Sequence, residues 1–285
     1  MADTVASAIR NAAARLGNTS DTARLDAELL MAHALDVSRS DMLLRHMQDD
    51  APQQFAQLMD RRSSCEPVAY ILGRQEFFGL DFLVGDGVLI PRGDSECVVE
   101  AALDAAPHAK RLLDLGTGSG ALLLALLSHL PNALGVGIDR APSPMKIAGA
   151  NADLHDLAMR ANFLERDWTK RGWADGLGDF DLIICNPPYV ESDADLTADV
   201  RDFEPAGALF AGPEGLDDYR ILIPQLPDLL AQNGVAVLEI GHLQGAAVAQ
   251  IAADHGSATN LYQDLGGRDR ALVLRFMLGK GESSG

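Results

Sequence analysis

The sequence has 285 residues, of which 47% are hydrophobic and 22% are charged. This length and composition exclude a disulfide-dependent miniprotein and a wholly disordered chain, and they allow two ordinary domains. The formal net charge of −18 argues against a general binder of nucleic-acid phosphates. No apolar run approaches the roughly 18–20 residues that cross a membrane, and the start Met1–Thr4 lacks the basic residues of a signal peptide. We therefore expect a cytoplasmic protein with no membrane partner.

The cysteines and histidines give no sign of a metal site. Cys65, Cys97 and Cys185 are odd in number and widely spaced, which disfavours structural disulfides and a thiolate zinc site. The seven histidines lack the spacing of a helical zinc motif with an adjacent glutamate. The sequence therefore predicts no bound metal.

The amino-terminal part of the chain has the pattern of packed helices. Apolar residues recur at intervals of three and four between Arg24 and Leu35, with Asp21 as the expected N-cap of that helix. Ser40 and Pro52 indicate the starts of two more helices. We therefore predict a small helical bundle in residues 1–72.

Short β-prone pieces follow in residues 73–92. Phe77–Phe78, Leu80–Val84 and Val88–Ile90 are separated by glycines, as in a β-hairpin linker. We therefore predict a hairpin between the bundle and the rest of the chain.

Strands alternate with helices in residues 93–278, and residues 279–285 are predicted to be a disordered tail. Alternation of this kind is typical of an α/β, doubly wound, mostly parallel sheet with a Rossmann-like arrangement. The expected strands are Leu112–Leu115, Leu134–Ile138, Asp181–Cys185, Val235–Ile240, Leu261–Tyr262 and Ala271–Phe276.

A glycine-rich loop stands where the first of these strands meets a helix. The loop consists of Gly116, Thr117, Gly118, Ser119 and Gly120. Its glycines allow a tight turn and close approach of a ligand, and the first amides of the helix that follows offer hydrogen-bond donors. The loop therefore predicts a nucleoside-containing ligand.

Two acidic residues refine that prediction. Asp139 ends the next strand, where a carboxylate can accept hydrogen bonds from both ribose hydroxyls. Asp114 precedes the loop, and a carboxylate there would repel a pyrophosphate but tolerate the positively charged S-adenosylmethionine. The spacing G-x-G-x-G therefore favours this methyl donor over NAD.

A second motif, Asn186-Pro187-Pro188-Tyr189, directly follows the buried strand that ends at Cys185. Asparagine offers a side-chain carbonyl, and neither proline has a backbone N–H. The turn can therefore hold both hydrogens of a planar NH₂ group, while the tyrosine ring offers a face for stacking. At the carboxyl edge of the sheet this pattern predicts an amino-group binding site.

These motifs resemble those of class I S-adenosylmethionine-dependent methyltransferases that act on NH₂ nitrogens. Within that class, the chain from about Leu25 to Leu274 resembles the peptide chain release factor glutamine methyltransferases. The further motifs that carry the resemblance are Pro67–Gly73, Glu76–Gly79, Leu89–Arg92, Glu204–Pro205 with Ala208–Leu209, Gly215–Asp217, Leu238–Gly241 and Gly266–Arg270.

The resemblance implies a helical substrate-docking domain, a hairpin linker and a methyltransferase domain. It implies S-adenosylmethionine as cofactor and release factors as protein partners, methylated on the glutamine of their Gly-Gly-Gln motif. The methyl donor would contact Gly116–Gly120, Asp139, Asn186 and Trp168, the last of which would otherwise be interpreted as a core aromatic residue.

The same resemblance assigns the substrate glutamine to the turn. Asn186, Pro187, Pro188 and Tyr189 would bind it, and Asn186, Pro187 and Tyr189 are the expected catalytic residues. The sequence departs from the family pattern at Gly93, where a proline is common.

Three alternatives remain open at this point. An Asn-Pro-Pro-Tyr turn serves the amino group of a nucleic-acid base equally well, although the negative net charge disfavours it. A non-catalytic adaptor that binds the methyl donor is a second alternative, and an NAD-dependent dehydrogenase is a third.

Overall fold

The computed structural model describes residues 3–17 and 19–277. The predicted tail, residues 279–285, lies outside the described residues. The chain divides into two compact units. One comprises the residues up to Arg74 together with Leu196–Phe203, and the other comprises Gln75–Asp195 and the residues from Glu204 onward.

The described residues form helices and strands with the following bounds. The helices are α1 (Val5–Leu16), α2 (Ala23–Ala34), α3 (Arg39–Asp41), α4 (Gln54–Ser63), α5 (Val68–Leu72), α6 (Glu96–Ala105), α7 (Ala121–His129), α8 (Pro142–Leu154), α9 (Ala198–Phe203), α10 (Asp217–Leu222) and α11 (Gly245–Asp254). The strands are β1 (Arg74–Phe77), β2 (Leu80–Leu83), β3 (Arg111–Leu115), β4 (Leu134–Asp139), β5 (Ala161–Glu165), β6 (Phe180–Cys185), β7 (Leu230–Glu239), β8 (Ser257–Gln263) and β9 (Asp269–Phe276).

The first unit is helical around one apolar core, which includes Ile9, Leu30 and Phe55. The expected N-cap of α2 was wrong. Thr22, not Asp21, precedes the helix, and its hydroxyl donates to the Asp26 carboxylate at 2.8 Å instead of capping an amide.

A buried ion pair lies inside the same unit. Asp26 and Arg62 are both about 5% exposed, and their side chains meet at 2.8 Å. Arg62 also reaches Asp199 at 3.5 Å, and Asp199 lies in α9, which belongs to the same unit. Because a lone buried charge is costly, loss of either Asp26 or Arg62 would destabilise this unit.

The second unit contains a seven-stranded sheet of order β5-β4-β3-β6-β7-β9-β8. The strands from β5 to β7 are parallel, and β9 is antiparallel to both of its neighbours. Apolar clusters cover both faces of the sheet. The predicted α/β doubly wound fold with a β1–β2 hairpin is confirmed.

Three details differ from the sequence prediction. Strand β5 was missed because it lies at the sheet edge, none of its residues is buried, and it has no clear apolar run. Strand β8 is longer than Leu261–Tyr262. Val88–Ile90 forms no strand, since the hairpin ends at Leu83.

The register of the sheet aligns the functional motifs. Leu115 of β3 pairs with Ile138 of β4 and with Cys185 of β6. The glycine loop, Asp139 and Asn186 therefore emerge side by side at the carboxyl edge, where open α/β sheets bind ligands. Over the described residues, no helix has the length and apolar character that a membrane span requires.

Candidate methyl-transfer site

The glycine loop turns tightly between β3 and α7. The backbone amides of Gly116 and Thr117 both donate to the Ile138 carbonyl, at 2.9 and 2.8 Å. Gly116, Gly118 and Gly120 all have positive φ, a conformation that other residues adopt only with strain. Two hydrogen bonds therefore attach the loop to the end of β4, and the positive φ angles favour glycine at these three positions.

Buried polar side chains form hydrogen bonds that hold the glycine loop in place. The Thr117 hydroxyl donates to Asp114 at 2.7 Å, and burial raises the pKa of Asp114 to about 7. Asn151 is fully buried; its amide donates to the carbonyls of Ser119 at 2.9 Å and Leu83 at 3.0 Å. Asn151 thus joins the loop to the hairpin, a role that its position in the sequence of α8 did not reveal.

Asp139 is held by backbone amides at the end of β4. One carboxylate oxygen accepts from Ala141 at 3.1 Å and the other accepts from Gly118 at 3.2 Å. Burial raises the pKa of Asp139, although these hydrogen bonds oppose the shift. Each carboxylate oxygen has a second lone pair, so Asp139 retains acceptor capacity for a ligand.

The Trp168 ring packs against the glycine loop at Gly116. A methyl group added at Gly116 would lie 3.2 Å from the Trp168 ring. The indole N–H donates to Asp218 at 2.9 Å, which fixes the ring orientation. Burial raises the pKa of Asp218.

The Asn186–Tyr189 turn follows β6 at the same edge. Pro187 and Pro188 are buried, while Asn186 and Tyr189 are partly exposed. Within the described part of the chain, neither the Asn186 carboxamide nor the Pro187 carbonyl makes a hydrogen bond. The turn therefore contains two acceptor oxygens that have no partner among the described residues.

A cavity of about 250 Å³ collects most of these groups. Eight of the predicted site residues line it, namely Gly116, Thr117, Gly118, Ser119, Asp139, Trp168, Asn186 and Pro188. Three do not: Gly120 precedes α7 as its N-cap and lies against α8, Pro187 is buried in the turn, and Tyr189 points its hydroxyl at Glu239.

Two further side chains connect segments that line the cavity. Arg140 lines it and donates to the Gly207 carbonyl at 2.7 Å. Glu204 accepts from the Ile90 amide at 3.2 Å and pairs with Arg92, which ties the linker to the segment after Glu204. Motif membership had marked Glu204, but no local pattern marks Arg140.

Two family models match the chain. A "PrmC N-terminal domain" matches residues 7–73, and a "Methyltransferase domain" matches residues 107–252. The second match contains the glycine loop, Asp139, Trp168 and the turn at Asn186.

Similar proteins share one description. The release factor glutamine methyltransferase of Rhodospirillum rubrum is 42% identical over 260 residues, covering 88% of this chain and 78% of that protein. The release factor glutamine methyltransferase of Bradyrhizobium diazoefficiens is 38% identical over 286 residues, covering 96% of this chain and 95% of that protein.

Among solved structures, the T. thermophilus 16S rRNA methyltransferase RsmC in complex with AdoMet and guanosine is 18% identical. Its TM-score is 0.52, over 71% of this chain and 49% of that one. This likeness supports the fold alone. With the two domain matches and an identity of 38–42% to relatives over 78–95% of their length, the chain belongs to the release factor glutamine methyltransferase family.

Proposed function

We propose that this protein transfers a methyl group from S-adenosylmethionine to the side-chain nitrogen of the glutamine in the Gly-Gly-Gln motif of release factors. The observation that carries the proposal is the unpaired Asn186 carboxamide, which lines the same cavity as the glycine loop. Relatives that are named release factor glutamine methyltransferases and are 35–42% identical to this chain support the same reaction.

The residues around the cavity fit the methyl donor. Gly116 and Gly118 have no side chains to obstruct a ligand, and Asp139 has lone pairs for ribose hydroxyls. Trp168 offers an aromatic wall for the adenine end. When bound, S-adenosylmethionine supplies an electrophilic methyl group on a positively charged sulfur.

The charge of the site favours this ligand over a dinucleotide. Asp139 lines the cavity, whereas burial raises the pKa of Asp114, beneath the loop, to about 7. Arg140 keeps its positive charge, but its guanidinium donates to the Gly207 carbonyl. A carboxylate-bearing cavity attracts a cationic ligand and disfavours a pyrophosphate.

The turn suits a carboxamide as methyl acceptor. The Asn186 side-chain oxygen and the Pro187 carbonyl are the acceptors for the two N–H bonds of the substrate glutamine. These two hydrogen bonds would orient the nitrogen lone pair towards the cavity that the glycine loop lines. They also stabilise the more positive nitrogen of the transition state more than the neutral amide of the ground state.

Orientation is the main physical contribution required of the protein. An amide nitrogen is a poor nucleophile because its lone pair is delocalised, and the rotation barrier of roughly 18–20 kcal/mol measures that delocalisation. Well-oriented intramolecular reactions gain up to about 7–11 kcal/mol. The product nitrogen releases its proton readily after transfer, so no strong base is needed before it.

The substitution Asn186→Ala tests this role. We expect kcat for a Gly-Gly-Gln peptide to fall about a hundredfold, the loss typical of one oriented transition-state hydrogen bond. Affinity for S-adenosylhomocysteine should change only slightly. Asn162→Ala is the matched control, because Asn162 is exposed on the edge strand β5. Unchanged turnover in Asn186→Ala would contradict the role, as would an equal loss in both quantities.

The strongest alternative is methylation of an amino group on a nucleic-acid base. The turn would accept that planar group, but extruding a base requires contacts to flanking phosphates. The net charge of −18 disfavours such contacts. Methylation of DNA or RNA oligomers without methylation of a release factor would favour the alternative.

A further inference from the structure

Glu239 is a buried acidic residue beside the acceptor turn. It ends β7, and the pairing of Cys185 with Leu238 places Glu239 next to Asn186 across the two strands. Its side chain is 1% exposed. Burial of a carboxylate costs free energy unless hydrogen bonds compensate for it. The contacts of Glu239 therefore indicate the role of its side chain.

One oxygen of Glu239 is bound to the turn. Glu239 Oε1 accepts from the Tyr189 hydroxyl at 3.1 Å. Among the described residues, Oε2 has no partner with hydrogen-bond geometry, and the same is true of Ser95 Oγ and Arg270 Nε. Burial raises the pKa of Glu239 to about 6, while nearby Ser95 and Arg270 oppose the shift.

The backbone and the ring of Tyr189 are held separately. Gln244 donates its side-chain amide to the Tyr189 carbonyl at 3.0 Å, and Pro187 and Pro188 restrict the chain before it. The hydroxyl bond to Glu239 acts on the far end of the ring. Loss of Glu239 would therefore remove the contact that fixes the hydroxyl end of the ring, while the backbone of the turn stays in place.

The backbone of Glu239 is itself anchored. The Tyr219 hydroxyl, fully buried in α10, donates to the Glu239 carbonyl at 2.7 Å. Ser95, which lines the cavity, approaches the carboxylate from α6's amino-terminal side. Glu239 thus lies between the turn and Ser95, and its backbone is held by Tyr219.

We propose that Glu239 is a positioning residue for methyl transfer. Its carboxylate holds the Tyr189 hydroxyl and thereby fixes the ring at the end of the Asn186–Tyr189 turn. This role rests on the proposed function, because the ring matters only if the turn receives the acceptor carboxamide.

Substitutions on both sides of the hydrogen bond test the proposal. Glu239→Ala removes the acceptor, Tyr189→Phe removes the donor, and Glu239→Gln keeps an acceptor oxygen of similar shape. We expect each of the first two to lower kcat/KM for a Gly-Gly-Gln peptide about tenfold, as for loss of a hydrogen bond to a charged group. The double variant should be no worse than either single variant, because one contact is lost in each.

Two readouts separate positioning from a structural role. Glu239→Gln should restore most of the activity, and the Kd for S-adenosylhomocysteine should stay within about twofold of the unsubstituted protein in all variants. Multiplying losses in the double variant would overturn the proposal. A Glu239→Gln variant as poor as Glu239→Ala would also overturn it, as would weakened S-adenosylhomocysteine binding.

A measurement without turnover separates this proposal from the proposed function. The chain has four tyrosines, so fluorotyrosine labelling gives few ¹⁹F resonances, and Tyr189→Phe identifies the one of interest. We expect Glu239→Ala to shift that resonance and Glu239→Gln to leave it nearly unchanged. A resonance unaffected by Glu239→Ala would refute the positioning role even if glutamine methylation is found. A shifted resonance in a protein that methylates no glutamine would refute the proposed function instead.

Discussion

Removal of the Asp218 side chain should weaken binding of the methyl donor without touching the cavity directly. Asp218 accepts the Trp168 indole N–H at 2.9 Å, and Trp168 packs against Gly116 in the cavity wall. A hydrogen bond to a charged group contributes about 1.5–3 kcal/mol. Because Asp218 is only partly buried, we expect the lower part of that range, or roughly ten- to thirtyfold weaker binding.

Isothermal titration with S-adenosylhomocysteine measures this effect for Asp218→Ala. Asp217→Ala is the matched control, because Asp217 is the preceding residue of α10 and contacts the exposed Arg220 at 3.3 Å. Asp218→Asn, which keeps an acceptor oxygen, should bind nearly as the unsubstituted protein does. Equal affinities for Asp218→Ala and the unsubstituted protein would refute the role of Trp168 orientation, as would an equal loss in Asp217→Ala.

Three further predictions follow from single positions. Gly116→Ala should weaken S-adenosylhomocysteine binding in the same titration, because φ is +75° and the new methyl group would lie 3.2 Å from Trp168, which must then shift. Gly93→Pro should raise the free energy of unfolding in urea by about 0.4–1 kcal/mol, since Gly93 begins a 3₁₀ helix and an added Cβ there meets no atom. Burial raises the pKa of Asp114 from 3.8 to about 7, so between those values the folded chain keeps a proton that the unfolded chain has lost. The contribution of Asp114 to the free energy of unfolding therefore falls by up to about 4 kcal/mol as pH rises through this range. In Asp114→Asn, the difference between the urea midpoints of unfolding at about pH 5 and about pH 8 should be smaller than in the unsubstituted protein.

The sequence predicted the parts of the site that depend on neighbouring residues. The glycine loop and the Asn186–Tyr189 turn each combine a buried strand with residues of special backbone geometry, and such combinations are visible locally. Parallel strands then bring their carboxyl ends to one edge, so the meeting of Gly116, Asp139 and Asn186 followed from the order of strands.

The supporting residues were not predictable in the same way. Asp218 lies 50 positions from Trp168, and Glu239 lies 50 positions from Tyr189. Their hydrogen bonds form only after distant elements pack, and an isolated acidic residue carries no local signal of its partner. The membership of Glu239 in a family motif marked its position but not its contact.

Errors in the helical part have a similar origin. Asp21 is of a residue type that is common at N-caps, but Thr22 occupies the N-cap position, and its hydroxyl donates to the Asp26 carboxylate. The Asp26 carboxylate also accepts a hydrogen bond from the buried Arg62 guanidinium at 2.8 Å. The Thr22 hydroxyl thus binds a carboxylate that also takes part in a long-range buried ion pair, and a local capping rule does not include such a contact.

Mass spectrometry of a release factor after incubation with this protein and S-adenosylmethionine tests the central claim most directly. We expect one added methyl group on the side-chain nitrogen of the glutamine in the Gly-Gly-Gln peptide, and far slower formation of that product with Asn186→Ala, in line with the expected hundredfold loss of kcat. An unmodified glutamine in the presence of a protein that binds S-adenosylhomocysteine normally would contradict the proposed function.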